Sequence, residues 1–423
     1  MTDLSRIGML TIGGETEVGS AAGVAAYVRC FPIDFGSVTR ELLDDEHMRQ
    51  GDYEVQKVVG PVRGTLVTEH YLHGYNGSLP TAAPSITRAT QGGATAWDMI
   101  MDSLASAIGG ITAGGFINSV TLGGTGSPVD TLTCTDAGAG LSSFEAGQAV
   151  AWATGNSDIP YEVGWLTSID EGATPDEAGL LQTPDVTPQG TVLYGAYTLF
   201  DKTGDAYHDY TNAAASFTLI FVGHNGRRFR VYGARISGYK ITITVGGAPK
   251  IQLTWMYADV IEDTTTAPSI QSWSYPQWEM VSYWHFRWGA STPRELQTKE
   301  ITIEGGLTLE TIEGGYSVNG IEDYYMAMRR PRISAMLLRS FANEVTDFAN
   351  QSAAPLTLQI GTQPGKMFAA CMPNARLDVD PTPKEDRSAV RADMVWRADV
   401  YTDDTGTVAD TSPIDTRYRC AWL

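Results

Sequence analysis

Glu69, His70 and His73, in the run EHYLH, are the first residues whose types could do chemistry, since carboxylate and imidazole are the donors that hold a transition metal. On an extended strand Glu69 and His73 share one face while His70 points to the other, so a metal would need a ligand from elsewhere. Surface or interface histidines are the plainer reading. Asp205, His208 and Asp209 cluster in DAYHDY, with Ser216 downstream. A Ser/His/Asp relay is defined in space rather than along the chain, and no G-x-S-x-G elbow accompanies these residues. A polar loop ahead of the strand ASFTLIFVG accounts for them. Asp44, Asp45 and Glu46 in ELLDDEH are candidate ligands for a divalent cation, yet three consecutive carboxylates cannot all face one ion, and the EF-hand alternation is missing. The stretches TIGGETEVG and LGGTGSP lack the Lys-Ser/Thr ending of a phosphate loop and read as turns.

Two basic clusters remain: Arg227, Arg228 and Arg230 in RRFR, and Arg329, Arg330 and Arg332 in RRPR. Guanidinium forks bind phosphate, but carboxylates on a neighbouring copy of an acidic chain satisfy them equally well, and the charge balance favours that interface reading. Cys30, Cys134, Cys371 and Cys420 are far apart, as expected of buried thiols rather than of a disulfide scaffold or a metal knuckle. No catalytic, metal or cofactor site emerges, and the expectation is a non-enzymatic protein without a cofactor.

The bulk properties point the same way. The 423 residues suffice for a large core or two to three domains. Asp and Glu number 49 against 29 Lys and Arg, a net charge of −20, which argues against sequence-independent binding of DNA or anionic lipid. With 43% hydrophobic and 18% charged residues the chain is not disordered by composition. Its N-terminal stretch lacks the pattern of a signal peptide, and no window approaches a membrane span, so cytoplasmic synthesis and no membrane partner are expected.

The elements that would position functional residues are mainly strands. In YKITITVGGAPKIQLTWMY, residues 239–257, Ile241, Ile243 and Val245 alternate with Lys240, Thr242 and Thr244, and Ile251, Leu253, Trp255 and Tyr257 alternate with Gln252, Thr254 and Met256. This predicts a hairpin with one apolar and one polar face. The clearest helix runs from Ala96 to Ile108, with Trp97, Ile100, Met101, Leu104 and Ile108 in one stripe, Thr95 and Asp98 as a capping box and Gly109 after its end. A shorter helix is predicted in ANEVTDFANQ, with Val345 and Phe348 turned inward. Between Arg88 and Lys202 there is no Lys or Arg, and short β-like runs alternate with turn residues, which marks 111–191 as an inserted acidic β-rich domain. It splits a larger β body into 1–110 and 192–423.

In order along the chain, GPVRGTLVTEHYLHG, the helix AWDMIMDSLASAIGG, a β insertion, RRFRVYGARISGYKITITVGGAPKIQLTWMYAD, ITIEGGLTLETI, PLTLQIGT and MFAACMPNARLDV resemble the tail tube (major tail) proteins of long-tailed bacteriophages (siphoviruses). The resemblance implies a mainly β fold: a β-sandwich or split-barrel core with a flanking α-helix and the inserted small β domain on the tube exterior. It also implies hexameric rings stacked into a virion tail tube, assembled in the host cytoplasm, through which double-stranded DNA passes during ejection. The implied partners are further copies of the chain, a tape-measure protein and tail terminator or baseplate proteins. Lys240, Thr242, Thr244, Gln252 and Thr254 would then line or support the channel. Asp44, Asp45 and Glu46, in a loop that reaches the adjacent ring in this family, would contact the next ring, with one of the arginine clusters opposite.

Two other classes compete. A carbohydrate-binding or adhesion module would use Trp273, Trp278, Trp284 and Trp288 as stacking platforms. An all-β glycoside hydrolase would need a carboxylate pair at defined separation.

Overall fold

Residues 239–257 form the expected antiparallel hairpin. In a computed structural model of the chain, strands Arg228–Thr244 and Lys250–Tyr257 pair with Ile241 opposite Ile251 and Lys240 opposite Gln252. The structure describes residues 8–15, 19, 28–31, 34–44, 57–72, 104, 111–112, 116–126, 129–134, 141, 144, 146–155, 160–170, 173, 176–186, 188, 190–202, 216–222, 228–263, 284–314, 320–337, 344–362, 366–379, 381, 384–386, 389–403 and 416–422. Ile241, Ile243, Ile251, Leu253, Trp255 and Tyr257 are fully buried, and the intervening polar residues face outward. Val245, expected on the buried face, is instead 53% exposed. It has already entered the turn, where Gly246 adopts φ 73 and the Gly247 N–H donates to the Thr244 carbonyl.

The described residues are mainly β, antiparallel and sandwich-like. Strand Arg228–Thr244, 17 residues long, belongs to two sheets. Its first half lies between Ser216–Val222 and Asp259–Asp263, and Gly8–Glu15 and Val28–Cys30 extend that sheet. Its second half lies between Lys250–Tyr257 and Thr298–Glu304. From there the second sheet continues one way through Lys57–Tyr71 and Asp34–Asp44, and the other way through Arg332–Leu337, Ala389–Ala398 and Phe368–Leu377. Phe368–Leu377 is a second junction: Ala354–Ile360 takes one edge, while Ala389–Ala398 and Thr416–Trp422 share the other.

One row of cross-strand neighbours shows where the core sits. His70, Ile251, Ile241, Ile303, Ile333, Trp396 and Leu377 succeed one another across the sheet, and all are buried. Leu10, Ile12, Phe217 and Phe221 of the first sheet join the same core, with the Phe217 ring edge-on to Trp255 at 6.5 Å. Of the expected helix from Ala96 to Ile108, only Leu104 lies among the described residues; it is helical and fully buried in this core.

The second expected helix is Glu344–Ala349, but it is rolled differently. Phe348 packs on the core as expected, whereas Val345 is 54% exposed and Glu344 is buried. Asp347 sets the roll by accepting a hydrogen bond from Arg294 at 2.8 Å, which turns the 344/347/348 side inward and Val345 out. Gln351 follows in the left-handed region, at φ 52, held by bonds from its side chain to the Phe348 and Leu377 carbonyls.

Between Phe116 and Gly195, six strands close into a barrel in the order Asp176–Leu180, Val129–Cys134, Phe116–Gly126, Gly190–Gly195, Ala149–Ala153, Tyr161–Asp170. Its centre is filled by Leu132, Trp152, Leu166, Leu180 and Leu193. Trp152 needs Gly164 on the neighbouring strand, since a Cβ there would lie 2.5 Å from its ring.

Candidate functional surface

On the face opposite the core, a second row runs across the same seven strands: Glu69, Gln252, Lys240, Glu304, Arg332, Arg397 and Arg376 are successive cross-strand neighbours. Each is one residue from its buried counterpart, so the period of two that builds the core also builds this surface. A parallel row carries Tyr71, Lys250, Thr242, Thr302, Ser334 and Val395. Its centre is three short hydroxyl side chains side by side.

The charges in these rows are matched locally. Lys250 Nζ lies 2.7 Å from Glu69 and Lys240 Nζ 3.2 Å from Glu304. Arg332, Arg397 and Arg376 are adjacent like charges, an unfavourable arrangement on its own. Asp378 and Asp399 interleave with them: Arg332 reaches Asp378 at 3.0 Å, Arg397 reaches Asp378 at 3.5 Å and Asp399 at 3.6 Å, and Arg376 reaches Asp399 at 2.6 Å. Such half-exposed pairs contribute about 0–1 kcal/mol each to stability, so their consequence is the surface potential rather than the fold. The three arginines stand at the sheet's rim: Arg332 begins its strand, and Arg397 and Arg376 are next to last in theirs.

Beside this rim the chain leaves the sheet. Strands Leu307–Glu313 and Ile321–Arg329 pair only with each other among the described residues. Gly305 and Gly306 make the exit: a Cβ on Gly305 would meet the Tyr239 ring at 2.2 Å, and one on Gly306, at φ 55, the Arg330 carbonyl at 2.1 Å. The hairpin folds over the polar face, burying Leu309, Ile321 and Tyr324 with Ala258 and covering Met256. Tyr324 donates its hydroxyl to the Gly233 carbonyl at 2.6 Å, and Arg235 donates to the Tyr324 carbonyl at 3.3 Å and pairs with Asp323 at 3.6 Å.

Two buried carboxylates fix this frame. Glu15 is 3% exposed and accepts hydrogen bonds from Ser216, from Thr218 at 2.6 Å, and from the N–H groups of Gly233 at 3.1 Å and Gly19 at 2.9 Å. Burial pushes its pKa up, and these four donors pull it partly back. Glu162 of the barrel, also 3% exposed, accepts the N–H groups of Asp185 at 2.6 Å and Val186 at 2.9 Å and faces Arg287 of the body at 3.3 Å. Burial raises its pKa too, against the lowering effect of those N–H groups, then of Arg287 and His285. Arg287 further donates to Gln182 at 2.9 Å and to the Thr183 carbonyl, while Gln182 donates to the Gly289 carbonyl at 2.5 Å. Around this polar latch, Ala149, Ala151 and Trp165 of the barrel pack on Ala369, Cys371 and Ala421 of the body.

The residues singled out from the sequence fall as follows. Lys240, Thr242, Thr244, Gln252 and Thr254 share the outward face, with Lys240 and Gln252 in the charged row. Asp44 ends strand Asp34–Asp44 opposite Lys57, and Asp45, Glu46 and Arg227 lie outside the described residues. Arg228 is buried opposite Asp263 in register, and Arg230 is half-buried in the same strand. Arg329 accepts a bond from Arg417 at its carbonyl, and Arg330 is exposed. His70 is buried, its Nε2 3.2 Å from the Thr68 hydroxyl, and His73 lies outside the described residues. Ser216 serves Glu15, whereas Asp205, His208 and Asp209 lie outside the described residues. Trp288 is buried against Trp396, and Trp284 is half-buried against the core, so neither forms the exposed platform read from the sequence. Trp273 and Trp278 lie outside the described residues. All four cysteines are free and buried, and burial pushes the Cys30 thiol up to about 12. Among the described residues no three His, Cys, Asp or Glu side chains gather as a metal site, and no helix is long and apolar enough to cross a membrane. Glu15, Glu162, Gln182 and Arg287 carried no local signal in the sequence, because their partners are distant along the chain.

No protein-family model matches the chain, and no curated protein is detectably similar to it in sequence.

Proposed function

We propose that this chain is a non-enzymatic structural virion subunit that assembles with copies of itself, as hexameric rings stacked into a tail tube, around a channel that conducts double-stranded DNA. The observation that carries this reading is the outward face of the seven-stranded run, where five cations in two rows each lie within ion-pair distance of a carboxylate. Nonspecific affinity for duplex DNA comes from Lys and Arg replacing counterions on phosphates. Lys240 and Lys250, each matched one to one by a carboxylate, have little to offer a passing phosphate, and the rim arginines share two aspartates among three. Screening over about 8 Å at physiological salt makes this local matching matter more than the net charge of the whole chain.

The sheet's margin supports assembly. Asp34–Asp44 pairs only with Lys57–Tyr71 among the described residues, and in this reading its other edge takes a strand of a neighbouring copy. In this reading the barrel lies on the tube exterior, a tape-measure protein and terminator or baseplate proteins bound the tube, and assembly takes place in the host cytoplasm.

Negative-stain electron microscopy of the purified full chain across a concentration series tests the reading. Rings or filaments of constant width with a hollow axis are expected. A particle that stays monomeric at the highest soluble concentration, and within isolated virions is absent from the tail shaft, would overturn it.

A further inference from the structure

The hairpin Leu307–Glu313 and Ile321–Arg329 has an outward face that nothing in the chain covers among the described residues. Ile312 is 42%, Tyr325 37% and Met328 40% exposed, three of the eight exposed large hydrophobics among the described residues, gathered on one short element. In register Met328 stands opposite Thr308 and Tyr325 opposite Glu310, to which its hydroxyl donates, so these side chains point the same way. Scattered exposed apolar residues are ordinary, but grouping on one face marks a contact surface. The hairpin also carries Glu310, Glu313 and Glu322, besides the Asp323 already paired with Arg235, with no Lys or Arg from Leu307 to Met328. Its direction is fixed by Gly305, Gly306 and the Tyr324 bond to Gly233, so little ordering entropy remains to be lost on docking.

From these observations we infer that the outward face of the hairpin docks a second copy of this chain, seated on the rim arginines Arg332, Arg397 and Arg376 of that copy. Charge complementarity selects this occupant. The hairpin is acidic, and the rim sets three arginines against two aspartates, with the Arg332 side chain 54% and the Arg397 side chain 44% exposed. The inference rests on the self-assembly reading above and names the surfaces that meet. Tyr325, Ile312 and Met328 supply the apolar centre, and the carboxylates supply the rim, the usual division within an interface.

Two full-length variants test it: Glu310→Arg with Glu313→Arg, and Arg332→Glu with Arg397→Glu. Each sets like charges against each other in its own homotypic contact. Sedimentation velocity should show the copy-to-copy step weakened at least tenfold in each variant, with native circular dichroism retained. An equal mixture makes both hairpin-to-rim contacts complementary and restores association, as does the chain carrying all four substitutions; misfolding would not be rescued this way. Parent-like assembly by both variants overturns the inference while leaving the tube reading intact, and so does loss that neither the mixture nor the fourfold variant restores. A parent that forms only dimers, lost in each variant and regained on mixing, supports the docking surface and overturns the tube. A parent that never self-associates overturns both.

Discussion

Arg332 and Arg397 are direct cross-strand neighbours, and both reach the carboxylate of Asp378, at 3.0 and 3.5 Å. A like-charge pair that would repel is thereby made into a three-centre unit, extended by Asp399 to Arg376. The two aspartates offset most of the positive charge of the three arginines on a face that meets water, and one positive charge is left over.

Removing its anions therefore changes adhesion more than stability. The double variant Asp378→Asn, Asp399→Asn should melt within a few degrees of the parent, since exposed pairs contribute about 0–1 kcal/mol each. On immobilised duplex DNA at low salt the parent should flow through, and the variant should be retained and then released as salt rises. Identical elution would show that charge matching on this face does not govern contact with DNA.

Gly306→Ala tests the exit of the hairpin. The new Cβ would sit 2.1 Å from the Arg330 carbonyl at a backbone φ of 55, so the chain must move. A loss of about 1–3 kcal/mol is expected in urea unfolding, with faster proteolysis between Leu307 and Arg329. Gly247→Ala is the control, since a Cβ there meets nothing closer than 3.4 Å.

Arg287→Met should be costly because it strands Glu162 in the seam between barrel and body. The expected loss is about 3–5 kcal/mol, and adding Glu162→Gln should restore much of it, since removing one member of a buried pair is worse than removing both charges. A double-mutant cycle measured by chemical denaturation reads the coupling. Strict additivity would mean that the two residues do not act as a unit.

Glu15 gives stability a pH dependence of definite sign. Burial raises its native pKa above the ordinary 4.5, so the folded chain holds a proton that the unfolded chain has released across that window. Its contribution is fully present below about pH 4.5 and falls as pH rises through the native value. Glu15→Gln removes this term, so the stability difference between parent and variant should shift in the variant's favour from pH 4.5 to pH 7. A constant difference would mean that Glu15 does not take up a proton on folding.

The hairpin at 239–257 was legible because strand burial has a period of two, and that period is local. Val245 escaped it at the point where the chain turns. Val345, expected inward, is exposed because a helix of under two turns takes its roll from tertiary anchors, here Arg294 on Asp347, and not from its own stripe. Met256 reads as an outward residue from its parity, yet a hairpin arriving from residues 307–329 covers it. The latch was silent for the same reason: Arg287 and Glu162 are 125 positions apart, and neither belongs to a motif. Trp288 shows the converse, since clustered tryptophans suggest a sugar platform, but the sheet turns this one into the core against Trp396. The charged row is intermediate, because the outward parity of its members could be read from each strand, whereas their alignment required the registers.

Strand Arg228–Thr244 has a mechanical consequence. Because one unbroken length of backbone serves both sheets, tension on either is handed to the other through covalent bonds. The two cannot shear apart like stacked plates, and under load they should yield together in a single event.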